Sequence, residues 1–253
     1  MIEKTIFDGL ITAWIVLSVT IFIALFFIAA PYGRHLRARW GATVQSSLGW
    51  VIMESVSPAV FIFCFLLGNN RSGWPEIAFL LLWQAHYIHR AYIYPLHIRG
   101  GEKPMPLAII CMGFIFNAVN SYLNGRYIFT FSPGYSDSWL YDPRFIIGVI
   151  IFIGGFIINR NSDIILRNLR VPDKPEYQMT HKGLFRWVSC PNYLGEILIW
   201  SGWAIATWSL AGLSFALWTA ANLIPRARSH HRWYREHFTN YPPQRKALFP
   251  KLW

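Results

Sequence analysis

The sequence predicts an all-α integral membrane protein, a single bundle of seven transmembrane helices. Three observations predict it. Hydrophobic residues make up 54% of the 253 positions and the mean hydropathy is +0.32, too apolar for an ordinary soluble domain. Several apolar runs reach the roughly 20 residues, at about 1.5 Å each, that a helix needs to cross the hydrocarbon of a bilayer. The basic residues gather in alternate connecting segments. Inside a bilayer no water is available to pair backbone groups, so spanning segments become helices that satisfy their own N–H and C=O groups.

The first element is the clearest. Leu10 to Ala30 contains no charged side chain and is followed by Pro31, Tyr32, Gly33 and Arg34. Its length, and the lack of a basic flank and a small-residue cleavage site, separate it from a removed signal peptide. Further spans are expected at 48–67, 75–97, 105–128, 144–168, 190–207 and 212–235, the last three with polar ends. The Pro- and Gly-containing stretches 68–75, 100–106 and 132–143 read as loops within one domain. No internal repeat, heptad pattern or low-complexity tract interrupts the series.

The net charge of +11 would point to nucleic acid in a soluble protein, but its distribution points to a membrane. Of the 23 Lys and Arg residues, 18 lie in 34–39, 95–106, 159–188 and 226–253. With seven crossings these segments share one face, which the positive-inside rule makes cytoplasmic; the C-terminus is then cytoplasmic and the N-terminus outside. The expected membrane is a bacterial inner membrane or that of the endoplasmic reticulum. Cys64, Cys111 and Cys190 have no CxxC spacing and sit in or beside apolar spans, so neither a disulfide nor a metal site is expected.

Ionisable side chains within spans are costly and mark function. Glu54 lies among Trp50, Val51, Ile52, Met53, Val56 and Val60, with no basic residue in its own helix. It is either a buried carboxyl paired with a residue on another helix or a group that donates a hydrogen bond to a substrate. The third span carries Gln84, His86, Tyr87, His89, Arg90, Tyr92 and Tyr94, with Tyr87, Arg90 and Tyr94 on one helical face. Tyr92 and Tyr94 also suit an interfacial aromatic belt.

Three more stripes follow. Asn159, Asp163, Arg167 and Arg170 are spaced along one helix face, as are Asn192 with Glu196, and Arg226 with His230 and Tyr234. Singly each could be a solvated helix end. Together they offer Arg for phosphate and acids or amides for sugar hydroxyls, the set that a large anionic nucleotide needs. Pro191 opens a helix whose first N–H groups also favour anions. No GxGxxG, P-loop, HExxH or GxSxG motif is present, which excludes the usual nucleotide folds and removes support for metal-dependent or serine hydrolysis. Gly154 and Gly155, inside an apolar run, are expected to let helices approach closely.

At these same residues the chain resembles the steroid 5α-reductase family, particularly its type 2 branch. The matching segments are HYIHRAYIYP (86–95), INRNSDIILRNLR (158–170), GLFRWVSCPNYLGEILIW (183–200) and SHHRWYREHFTNYPPQRKALFP (229–250), and the match is weak before residue 80. The resemblance implies reduction of the carbon–carbon double bond of a 3-oxo-4-ene steroid with NADPH. Residues 1–100 would then form the substrate-side helices and 101–253 the cofactor-binding part. Glu54 and Tyr87 match the pair that holds the 3-carbonyl. Tyr94, Asn159, Asp163, Arg167, Arg170, Tyr177, Asn192, Glu196, Arg226, His230 and Tyr234 match cofactor positions, and Trp200 the wall between cofactor and substrate. Departures are Met53 in place of a glutamine, Gln178 in place of a basic residue, and a longer 95–104 loop around Arg99 and Lys103.

The implied partners are an apolar enone and membrane lipid, with no nucleic acid; a monomer suffices. The PNYLGE segment and its basic, aromatic sequel are also similar to membrane isoprenylcysteine methyltransferases that use S-adenosylmethionine, and to enoyl-CoA and polyprenol reductases. A non-catalytic seven-helix receptor or carrier is the alternative outside enzymes.

Overall fold

The computed structural model describes residues 2–27, 41–169 and 178–252, and most of these are helical. The helices are α1 (Ile2–Phe27), α2 (Ser46–Leu67), α3 (Trp74–Ile88), α4 (Tyr94–Leu96), α5 (Leu107–Arg126), α6 (Pro143–Leu169), α7 (Pro191–Thr207) and α8 (Leu210–His237). A π-helical turn, His89–Ile93, joins α3 to α4, and another, Tyr127–Phe131, extends α5. The fold is not purely helical: β1 (Thr43–Gln45) pairs antiparallel with β2 (Pro104–Pro106) in a two-stranded ribbon. Four helical stretches, Ile2–Phe27, Ser46–Leu67, Leu107–Phe131 and Pro143–Leu169, are long and apolar enough to cross a membrane. α7 is shorter, at 17 residues, and the last turns of α8 are crowded with Arg and His.

Punctuation in the sequence accounts for the helix ends. α2 ends at Gly68, where an added methyl would sit 2.4 Å from the Phe129 carbonyl oxygen. Pro191 opens α7 in the first turn, where a missing N–H costs nothing. Ser209 caps α8 by accepting a 2.9 Å hydrogen bond from the Gly212 N–H. At the start of α6, Asp142 accepts hydrogen bonds from the Arg144 side chain and backbone N–H, which hold its carboxyl down at about 2.

The chain divides into two compact units. The first takes in Met1–Ile11 and Pro31–Ile146. Here α2 packs on α5 through side chains: Ser57 and Ser121 share a 2.6 Å hydroxyl hydrogen bond, and Phe61 stacks 4.3 Å from Trp83 and meets Phe129 edge-on. Such aromatic pairs contribute about 0.5–1.5 kcal/mol each. Arg126 grips Glu3 with two 2.9 Å hydrogen bonds, fixing the first turn of α1 to α5.

The second unit takes in Thr12–Ala30 and Ile147–Trp253. Its α6 and α7 touch backbone to backbone at Gly148 and Gly155 on one helix and Gly195 and Gly202 on the other. A methyl at Gly195 would lie 2.6 Å from the Asn159 nitrogen, and one at Gly155 would lie 2.7 Å from the Gly195 carbonyl oxygen. Of the pair expected to allow close approach, Gly155 does so and Gly154 faces open space. The C-terminal segment is tied to the turn before α7: Ser189 N–H donates to the Lys246 carbonyl, Cys190 N–H to that of Ala247, and Lys246 N–H to that of Trp187. The Ser189 hydroxyl also meets His231 Nδ1 at 2.7 Å and the Tyr241 hydroxyl at 2.5 Å.

Candidate active site

In the first unit, Glu54 sits midway along α2, four residues before Pro58. Proline has no N–H to give the Glu54 carbonyl, so the helix is loosened at this point. The carboxyl does have a partner on another helix. Its Oε1 lies 3.7 Å from Arg90 Nε, and the Arg90 guanidinium rests over the rings of Trp50 (4.6 Å) and Tyr94 (4.7 Å). Stacking an arginine between two aromatic faces keeps its fork aimed at the carboxyl.

Tyr87 is 3% exposed, packed against Trp83 and His86. Its hydroxyl donates toward Asn117 Oδ1 at 3.5 Å, while Asn117 Nδ2 donates to the Met53 carbonyl at 2.7 Å and to Glu54 Oε2 at 3.3 Å. One amide from α5 therefore touches both members of the predicted pair. Met53 itself is buried against Gly113 of α5, where an added methyl would come 2.8 Å from its sulfur. The π-turn after Ile88 breaks the expected single face: Tyr87 meets α5, whereas Tyr94 meets Trp50 of α2 edge-on at 5.6 Å.

Asn117 is the residue the sequence reading missed. The signal was present, because Asn117, Asn120, Ser121 and Asn124 recur at i, i+3, i+4 and i+7 in an apolar span, and all four are buried. α5 also belongs with the Glu54 unit, although it follows residue 100.

In the second unit, α6 and α7 bring Asn159 and Glu196 together. Asn159 Nδ2 donates to the Asn192 carbonyl and to Glu196 Oε1, both at 3.1 Å, and Trp200 Nε1 donates to Glu196 Oε2 at 3.3 Å. Trp200 stacks on Phe215 at 3.8 Å, which fixes its plane. Asp163 and Arg167 follow Asn159 along α6 at one-turn intervals. From α8, Arg226 lies 5.8 Å over the Tyr193 ring, and His230 lies 5.6 Å from that ring and 3.9 Å from the Cys190 sulfur. Tyr234 departs from this group and stacks on Tyr241 at 5.9 Å. Arg170 and Tyr177 lie outside the described residues.

The family whose description is "3-oxo-5-alpha-steroid 4-dehydrogenase" matches residues 103–253. Along nearly its whole length the chain is 37% identical to 3-oxo-5-alpha-steroid 4-dehydrogenase 1 of Bos taurus, covering 99% of this chain and 98% of that protein. The chain belongs to the 3-oxo-5-alpha-steroid 4-dehydrogenase family. Two further relatives are steroid 5-alpha-reductase DET2 of Arabidopsis thaliana, 37% identical over 98% of this chain and 97% of its own, and 3-oxo-5-alpha-steroid 4-dehydrogenase 1 of Homo sapiens, 41% identical over 87% and 85%. In this 3-oxo-5-alpha-steroid 4-dehydrogenase family member, the match at 103–253 includes Asn117, Asn159, Glu196 and His230. Glu54 and Tyr87 precede it, within the stretch that the full-length relatives cover.

Proposed function

We propose that this chain reduces the 4,5 double bond of 3-oxo-4-ene steroids with NADPH. The observation that carries the reading is the convergence of a carboxyl, Glu54, and a phenol, Tyr87, on one buried amide inside an otherwise apolar pair of helices. In an enone the β-carbon accepts hydride only as fast as the carbonyl oxygen can take up negative charge. Glu54 and Tyr87 would each donate a hydrogen bond to that oxygen, bonds that strengthen as the charge grows. Charge passed on to Glu54 meets Arg90 across 3.7 Å. The α-carbon is then protonated to give the saturated ketone.

The second unit's donor set suits a dinucleotide. Asn159 and Glu196 pair with amide and hydroxyl groups, and Arg167, Arg170 and Arg226 with phosphates. Tyr94, Asp163, Tyr177, Asn192, His230 and Tyr234 complete the proposed contacts, and Trp200 with Phe215 forms an apolar wall for the nicotinamide and steroid. Bound NADPH supplies the hydride. We further propose seven crossings, with α3 through α4, α7 and α8 joining the four most apolar stretches, the N-terminus outside and the C-terminus cytoplasmic. A fluorescent-protein fusion to the C-terminus that lights up only when exported would overturn that orientation.

Purified protein in lipid nanodiscs, given NADPH and progesterone, should yield the 5α-saturated ketone by mass spectrometry with matching loss of NADPH absorbance. Absence of saturated product with every 3-oxo-4-ene steroid tried would refute the reaction. Glu54→Gln and Tyr87→Phe should each lower kcat on the order of a hundredfold, the usual loss for one oxyanion donor, with NADPH affinity nearly unchanged.

A further inference from the structure

We infer that Asn117 is a positioning residue that aims Glu54 and Tyr87 at one point, an inference that rests on the enone reading above. The amide is 6% exposed, and its orientation follows from its partners. The Met53 carbonyl, 2.7 Å away, only accepts, so the group facing it is the nitrogen. The other end is then the oxygen, and at 3.5 Å it faces the Tyr87 hydroxyl, which must donate to it. The nitrogen's remaining hydrogen serves Glu54 Oε2 at 3.3 Å.

The short Met53 contact thus sets the direction of the other two. It also references a carboxyl on α2 and a phenol on α3 to a third helix, α5. A flexible glutamate and a tyrosine reaching the same carbonyl oxygen need that shared reference, because small errors in the placement of donors erode rate steeply. The methionine that replaces glutamine at 53 leaves the arrangement intact, since Asn117 holds the main chain of Met53 and not its side chain.

The interface has an internal control. Ser57 and Ser121 form a buried hydrogen bond between the same two helices, and Ser121 lies one turn beyond Asn117 on α5. If Asn117 only joined helices, its loss and theirs would have the same consequences.

The test uses the full chain in nanodiscs and steady-state reduction of progesterone by NADPH. Asn117→Leu should lower kcat/KM for the steroid at least tenfold with the KM for NADPH unchanged, while Ser57→Ala with Ser121→Ala leaves both constants within twofold. Adding Asn117→Leu to Glu54→Gln should cost less than a further twofold, because a residue that acts through another has nothing left to act on. A full multiplicative loss in the double variant, or an unchanged kcat in folded Asn117→Leu, overturns the inference. Should the leucine variant fail to fold, Asn117→Asp keeps the size and the acceptor for Tyr87 but removes both N–H donors, and the same two criteria apply to it. Lack of turnover by the unaltered chain defeats the enone reading itself, and the inference with it.

Discussion

The α2–α5 pair of the first unit and the α6–α7 pair of the second are both close, for opposite reasons. α2 and α5 are held by side chains: a serine–serine hydrogen bond, interlocked aromatics and an asparagine that reaches the facing backbone. α6 and α7 are held by the absence of side chains, with glycines on each helix admitting the backbone of the other. Without a hydrophobic drive between helices in lipid, these are the two available means of association. The first leaves room for a carboxyl and a phenol within the joint. The second brings Asn159 and Glu196 to adjacent positions with little slack.

The largest expected effect breaks the second joint. Gly195→Val places carbon against the Asn159 backbone, which has no flexible end to swing away, so folded protein should be lost on size-exclusion chromatography. Gly154→Ala, one residue from an equally close contact but facing open space, should leave the melting temperature unchanged or slightly raised. A melt that treats the two alike would end the distinction.

Next in size is a contrast of carboxyls. Glu54→Gln should act on kcat, whereas Glu196→Gln, which disturbs the bonds from Asn159 and Trp200, should raise the KM for NADPH about tenfold with less effect on kcat. Swapped phenotypes would exchange the roles assigned to the two units.

Smaller still, Ser57→Ala leaves the buried Ser121 hydroxyl without its partner and should cost about 1 kcal/mol, part of which Ser121→Ala restores. The smallest effect is at the exposed Asp142. Its carboxyl lies below the ordinary 3.8, so its stabilising contribution is complete above that value and fades as pH falls through about 2. Asp142→Asn should remove that fraction of the acid sensitivity, read as melting temperature against pH.

The helices themselves were legible because apolar runs and their Gly and Pro boundaries are local. Predicted spans such as 48–67 and 144–168 fall within a few residues of α2 and α6. Stripes at helical spacing exposed Asn159 and Glu196 for the same reason. Asn117 escaped because its meaning lies in what faces it across two helices, and a neutral amide in an apolar run draws less notice than a glutamate. The partner of Glu54 was left open in the sequence since Arg90 is 36 positions away, joined to it only by the packing of α3 on α2. The ribbon of β1 and β2 also depends on pairing across some sixty residues, between segments with no strand-like alternation.

The widened turn at His89–Ile93 acts as a phase shifter. In a regular helix Tyr87 and Tyr94, seven residues apart, would point the same way. One surplus residue rotates everything beyond it by about 100°, so a single rod can present one tyrosine to α5 and another to α2 without bending. Deleting one residue from that turn would straighten the count and force the two tyrosines to compete for a common direction.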